Sequence, residues 1–251
     1  MTDPVEDSAM PTTTADVAPT ALIDSDHPDI LAFVRDTCAG TTGIHERVNT
    51  LFSAIRDEIR YNPYVVDLSL DGMRASSVLR SPRNWCVPKA TLFVACCRAL
   101  GIPARPGYAD VRNHLSSPRL TELMGTHIFV WHGYTEVLVD DVRCKASPAF
   151  DSLLCERFGV PPLEFDGRED ALLHAFDGSG RRHMEYINDH GTYQEVPIAR
   201  ITRALSQAYP SMAGILRAPD AAHAVDEEKA RSTDPVWDHT GLGRGADGDA
   251  R

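Results

Sequence analysis

Cys86 is the side chain whose setting in this sequence most favours chemistry. A polar stretch holding Gly72, Pro82 and Asn84 gives way at Trp85-Cys86 to an apolar run, Val87 to Leu100, with Gly101 as a stop signal. The run reads as a helix. A sulfur at a helix start lies near unpaired backbone N–H groups and the positive end of the helix dipole, which lower a thiol pKa and favour the thiolate. The same N–H groups can hold a developing oxyanion, with the Asn84 or Trp85 side chain as a second donor. A thiolate nucleophile also needs a base, and the base something to orient it. The candidates ahead of the last strands are His27, His45, His114, His127, His132 and His174. His132 lies in a strand-like stretch whose alternation puts it on one face with Tyr134 and Glu136, while His127 falls on the other. The competing account makes Cys86 a packed small residue and the histidines ordinary polar ones.

The elements that must position these groups change character along the chain. Asp26 to Gly40 reads as a short helix with Pro28 in its first turn. Ile44, Val48, Leu51, Phe52, Ile55 and Ile59 mark one stripe of a second helix, ended by Asn62-Pro63. After Gly101 the period becomes two. Ala104 to Val111 and Ile128 to Val139 read as strands around a helical turn at Pro118 to Met124, and Asp140-Asp141 turns the second into Val142 to Ala146. Met184 to Ile187 and Thr192 to Val196, flanking Asn188-Asp189-His190-Gly191, read as a hairpin. Pro197 to Tyr209 is the last helix. Helices first and antiparallel strands after predict an α+β fold.

The chain has 251 residues, 43% of them apolar, and a formal net charge of −11. The charge sits at the ends. Residues 1–28 hold six acids and no Lys or Arg, residues 218–251 hold eight acids and four bases, and the stretch between is nearly neutral. Residues 1–21 and 218–251 are too polar and aperiodic to offset their ordering entropy and read as disordered tails around a single domain over 22–217. Without clustered Lys and Arg, nucleic acid is not an expected partner. No apolar stretch approaches the length of a spanning helix, so neither is a membrane, and the acidic start suggests no targeting peptide, so the expected location is cytoplasmic. The six cysteines form no CxxC pair, and Cys96-Cys97 has no His or Cys at ligand spacing. A metal or redox sensor is therefore the weakest reading. The tail's GLGRGADG follows no strand and is not a nucleotide loop.

The run WCVPKATLFVACCRALGIPARPGYADV resembles the nucleophile helix and following strand of the transglutaminase-like superfamily. HGYTEVLVDDVRCKASPAFD resembles that superfamily's second motif, His-x-aromatic-x-Glu-Val, a turn and Asp-Pro, and Ile59-Arg60-Tyr61 its helix-ending Ile-x-Tyr. The resemblance covers about residues 44–210, loosely after Asp151, and implies a papain-like Cys-His-Asp arrangement. It makes Cys86 the nucleophile and His132 the base. At the acid position, fifteen residues past His132, stands Ser147 before Pro148, and Arg143 replaces the Trp near the turn. Asp151 is taken as the orienting carboxylate in its place, with Ser147 as the other candidate. The resemblance implies a cysteine-dependent acyl-transfer enzyme acting through a thioester on a peptide, protein or small amide, hydrolysis being favoured over transglutamination, and it calls for no metal or organic cofactor. A binding protein that kept the fold and lost the triad is the alternative.

Overall fold

The computed structural model describes residues 13–114, 116–177, 179–212 and 216. Helices α1 (Pro28–Thr37) and α2 (Ile44–Glu58) come first, as the two apolar stripes require. A two-residue parallel ladder joins β1 (Arg60–Tyr61) to β2 (Arg83–Asn84) across short helices α3 (Leu70–Met73) and α4 (Ala75–Leu79). The polar stretch ahead of Trp85 is thus partly helical: the Ser69 side chain accepts from Gly72 N–H and starts α3.

Helix α5 (Cys86–Ala99) is the centre of the molecule. Every residue from Cys86 to Arg98 is buried, because the sheet covers one side of the helix and α1, α2 and α4 the other. A helix walled on all sides is apolar all round, as its sequence is. Buried polar residues interrupt it at Thr91, Arg98 and Lys89, and the Nζ of fully buried Lys89 donates to the backbone carbonyls of Arg56, Ile59 and Ala149. It ties the end of α2 and the segment beyond the sheet to the first turn of α5.

Strands β3 (Ala104–Asn113), β4 (Ile128–Val139), β5 (Val142–Ala146) and β6 (Met184–Thr192) form an antiparallel sheet in the order β5-β4-β3-β6. Helix α6 (Pro118–Met124) lies between β3 and β4, α7 (Ser152–Phe158) follows β5, and α8 (Ile198–Ala208) packs on β4. The β4–β5 hairpin turns on Asp140 and Asp141, both with positive φ, as a tight two-residue hairpin demands.

Two expectations are corrected here. Met184–Thr192 is one continuous strand, not the first arm of a hairpin. Its 188–191 segment stays paired to β3 through two register shifts, with Gly191 at φ +77°, and residues 193–197 pair with no further strand. The tail expected over 1–21 also ends sooner. Asp16 is buried and pairs with Arg105 through both carboxylate oxygens, and Ala18 accepts from Arg98, so residues 13–21 pack on the domain. The acid that counted towards a disordered tail is a buried ion-pair partner, which composition does not reveal. Residues 1–12 and 218–251, the rest of the expected tails, lie outside the described residues.

Candidate active site

Cys86 opens α5 with Trp85 as the residue before its first turn. The backbone N–H groups of Gly133, Val87 and Cys86 itself lie against the sulfur and draw its pKa down, and Lys89 adds its charge in the same sense. Burial outweighs them all and pushes the thiol up to about 11. The helix start therefore does not yield a resting thiolate, contrary to the expectation from its position alone. The electrostatic bias is present but acts on a sulfur taken out of water.

The approach of β4 to this helix start depends on one glycine. A Cβ on Gly133 would sit 2.8 Å from Val87 Cα, a backbone atom that cannot swing aside. Only a residue without a side chain lets β4 come close enough to set its N–H against the sulfur.

His132, immediately before Gly133, lines the same cleft as Cys86 and Trp85. Its ring is buried, and burial lowers its pKa to about 4. The Ser147 hydroxyl donates to the Gly133 carbonyl at 3.2 Å and lies 3.3 Å from His132 Nε2. Both contacts are hydrogen bonds at once only when the serine proton goes to the carbonyl, which can only accept, and the serine oxygen accepts from His132. Nε2 then carries the proton and Nδ1 is the bare nitrogen, the tautomer a general base needs.

A bulge sets the imidazole's place. Ala109 faces His132 but Val111 faces Phe129, so β4 has one residue more than β3 just before His132. Trp131 sits in this bulge at φ 56°, a left-handed conformation that a bulky residue adopts only when its surroundings enforce it. Asp110 Oδ1 accepts from Trp131 N–H at 3.0 Å and lies 2.7 Å from His190 Nε2. The His190 ring in turn stacks on the Trp131 indole, centroids 4.5 Å apart and planes 12° off parallel. None of the three was singled out by sequence. A tryptophan in a strand carries no mark of positive φ, and Asp110 and His190 are eighty residues apart.

Asp151, expected as the orienting carboxylate, is placed elsewhere. Its Oδ1 accepts from Leu154 N–H at the start of α7 and from Arg60, and its Oδ2 from Tyr61 N–H. It caps a helix and fixes the backbone of Tyr61, which lines the cleft. The serine at the motif position, not the carboxylate four residues on, is beside the imidazole. Asn84 Oδ1 accepts from Trp85 N–H and so shapes the turn into α5. Trp85 is buried, and its indole N–H finds no partner among the described residues.

The cleft is narrow and open to solvent, and the figure of about 450 Å³ for the space between its walls includes solvent at the mouth. Its walls include Tyr61, Trp85, Met124, Phe129, Leu205 and Tyr209, contributed by five separate parts of the fold. Cys86 and His132 are its reactive groups. Among the described residues no cluster of His, Cys, Asp and Glu could hold a metal ion, and no helix is long and apolar enough to cross a membrane.

Residues 32–143 match the family model of the transglutaminase-like superfamily, whose members are typically cysteine-dependent enzymes. The match takes in both Cys86 and His132 and ends before Ser147. A crystal structure of a candidate cysteine protease from Cytophaga hutchinsonii is similar at a TM-score of 0.41 and 18% identity. The likeness covers 70% of this chain and 53% of that one, so the chain spans about half that structure's length. No curated protein matches the sequence. Over residues 32–143 the chain is thus similar to the transglutaminase-like superfamily, and its helices on an antiparallel sheet, with Cys86 opening the central helix and His132 on the strand beside it, make an α+β fold.

Proposed function

We propose that this domain is a cysteine-dependent acyl-transfer enzyme that cleaves an amide or ester through a thioester on Cys86, with water as the favoured acceptor. The observation that carries the reading is the hydrogen-bond order around His132. With Ser147 as the partner of Nε2, Nδ1 is the ring nitrogen left to serve Cys86, which lines the same cleft as His132.

Burial holds both partners neutral at rest, the thiol near 11 and the imidazole near 4. Proton transfer must then accompany attack rather than precede it. As Cys86 Sγ bonds to the carbonyl carbon, its proton passes to His132 and the carbonyl oxygen takes the negative charge. The N–H groups at the start of α5 and the Trp85 indole N–H, unpaired among the described residues, are the donors available to that oxygen. The imidazolium then protonates the leaving nitrogen or oxygen as its bond to carbon breaks. In the second half a water gives its proton to His132 and attacks the thioester, and the departing sulfur recovers the proton. An amine in place of water would make the same site a transferase.

Ser147 orients the imidazole but cannot neutralise the imidazolium, which favours the second reading, a binding protein on the same fold. The two separate by intact mass spectrometry after reaction with activated esters, with Cys86→Ala and His132→Ala as controls. The enzyme reading expects a single acyl adduct on Cys86, abolished in the first variant and slowed at least a hundredfold in the second. If both variants retain the full hydrolysis of the unmutated protein, the enzyme reading is lost.

A further inference from the structure

The walls of the cleft specify more than its reactive groups do. Among the described residues that line it there is no Asp, Glu, Lys or Arg. Tyr209 presents a ring only, because its hydroxyl donates to the Ile128 carbonyl at 2.9 Å and accepts from Val130 N–H at 2.7 Å. Met124, Phe129 and Leu205 are apolar throughout. A charged group entering such a space would lose its hydration and meet no countercharge. One polar demand remains. Trp85 lines the cleft beside Cys86, and its buried indole N–H has no acceptor among the described residues. A buried donor left unpaired is costly, and a neutral carbonyl oxygen is the acceptor that would satisfy it without bringing charge.

We infer that the acyl group this site accepts is neutral and apolar, an aliphatic or aromatic chain seated between α6, β4 and α8, with its carbonyl oxygen paired to the Trp85 indole. The inference rests on the reading of Cys86 as an acyl acceptor, yet it concerns recognition and can fail separately. It places specificity partly on α8, which lies outside the family match and supplies Leu205. Substrates with a carboxylate or ammonium on the acyl side are excluded, whatever the leaving group.

The test uses the full chain with Cys86→Ala, titrated by ligand-observed NMR with acetamide, butanamide and hexanamide and with succinamate as the charged counterpart. Affinity should rise roughly two- to fourfold for each methylene added. Hexanamide should bind at least about tenfold more tightly than succinamate. Adding Trp85→Phe should weaken hexanamide several-fold and flatten the difference between hexanamide and an alcohol of equal length. Equal binding of hexanamide and succinamate, or no binding of either, overturns the inference. In parallel the unmutated chain is treated with the p-nitrophenyl esters of hexanoate and of succinate, and the Cys86 adduct is followed by mass. Selective binding without any adduct would sink the enzymatic reading and leave the inference standing. Adducts formed equally fast from both esters would do the reverse.

Discussion

The two halves of the site are held by different means. Cys86 depends on backbone: a helix start, three N–H groups at the sulfur, and a glycine that lets β4 approach. His132 depends on side chains from distant parts of the sequence, with Ser147 behind its ring and Asp110, Trp131 and His190 bracing the bulge next to it. Backbone support follows from where a helix begins and tolerates many side chains. Side-chain support demands particular residues at particular places, so one substitution can remove it.

The sharpest way to break this contrast is at Gly133, where both supports meet. Gly133→Ala should cost about 1–3 kcal/mol in a denaturant melt, since Val87 Cα blocks the new methyl. It should also lower Cys86 acylation at least tenfold, and an alanine variant that melts and reacts like the unmutated protein would show that the close approach is not required. On the histidine side, Asp110→Ala should leave Trp131 N–H without its acceptor and cost about 1–3 kcal/mol. The accompanying loss of acylation should exceed that of Asp151→Asn, which disturbs a helix cap and the Tyr61 backbone but not the imidazole.

Ser147→Asp sharpens the comparison from the other direction. A carboxylate beside Nε2 should raise the His132 pKa from about 4, read as a shift of its NMR titration towards neutrality, while Ser147→Ala should leave the ring without its fixed tautomer. A titration unmoved by Ser147→Asp would place position 147 outside the base's influence.

Acid provides a milder test. His132 and His183 are buried, and burial lowers each to about 4 from an unfolded value near 6.5. Above pH 6.5 both are neutral in either state, and their setting is not challenged. As pH falls from 6.5 to 4 the unfolded chain takes up protons that the folded chain refuses, so stability drops by roughly 2–4 kcal/mol for each. Denaturant midpoints measured across that window should fall with pH, and His183→Phe should flatten the slope. A midpoint constant from pH 7 to 4 would contradict the burial of both rings.

The order of elements could be read in the sequence because each carried its own period or stop: the stripe from Ile44 to Ile59, the Gly101 stop after α5, the alternation along β4 and the Asp-Asp turn. Cys86 and His132 belonged to motifs spaced along the chain, and both line one cleft. What escaped were pairings between residues far apart. Asp16 looked like part of an acidic tail until Arg105 was beside it, and Asp151 looked like the replacement for a missing acid while its oxygens were committed to Arg60, Tyr61 and Leu154. Lys89 offered a visible signal, a lone lysine in an apolar helix, but not its three carbonyl partners. Burial likewise reversed the sense of the Cys86 shift, because a helix start is a local feature and the wall around it is not.

The distribution of thiols has a consequence for measuring how the cleft opens. All six cysteines are free; Cys38 is partly exposed and the other five are buried. Cys96, Cys97, Cys144 and Cys155 can meet an alkylating reagent only when the surrounding core loosens, so their labelling rates time openings of the fold. Cys86 belongs to both populations, being in the core and at the cleft. If it labels in step with Cys96 and Cys97, entry to the cleft requires the same loosening that exposes the core. If it outruns them, the cleft breathes alone, and the ratio of the rates measures how much more easily.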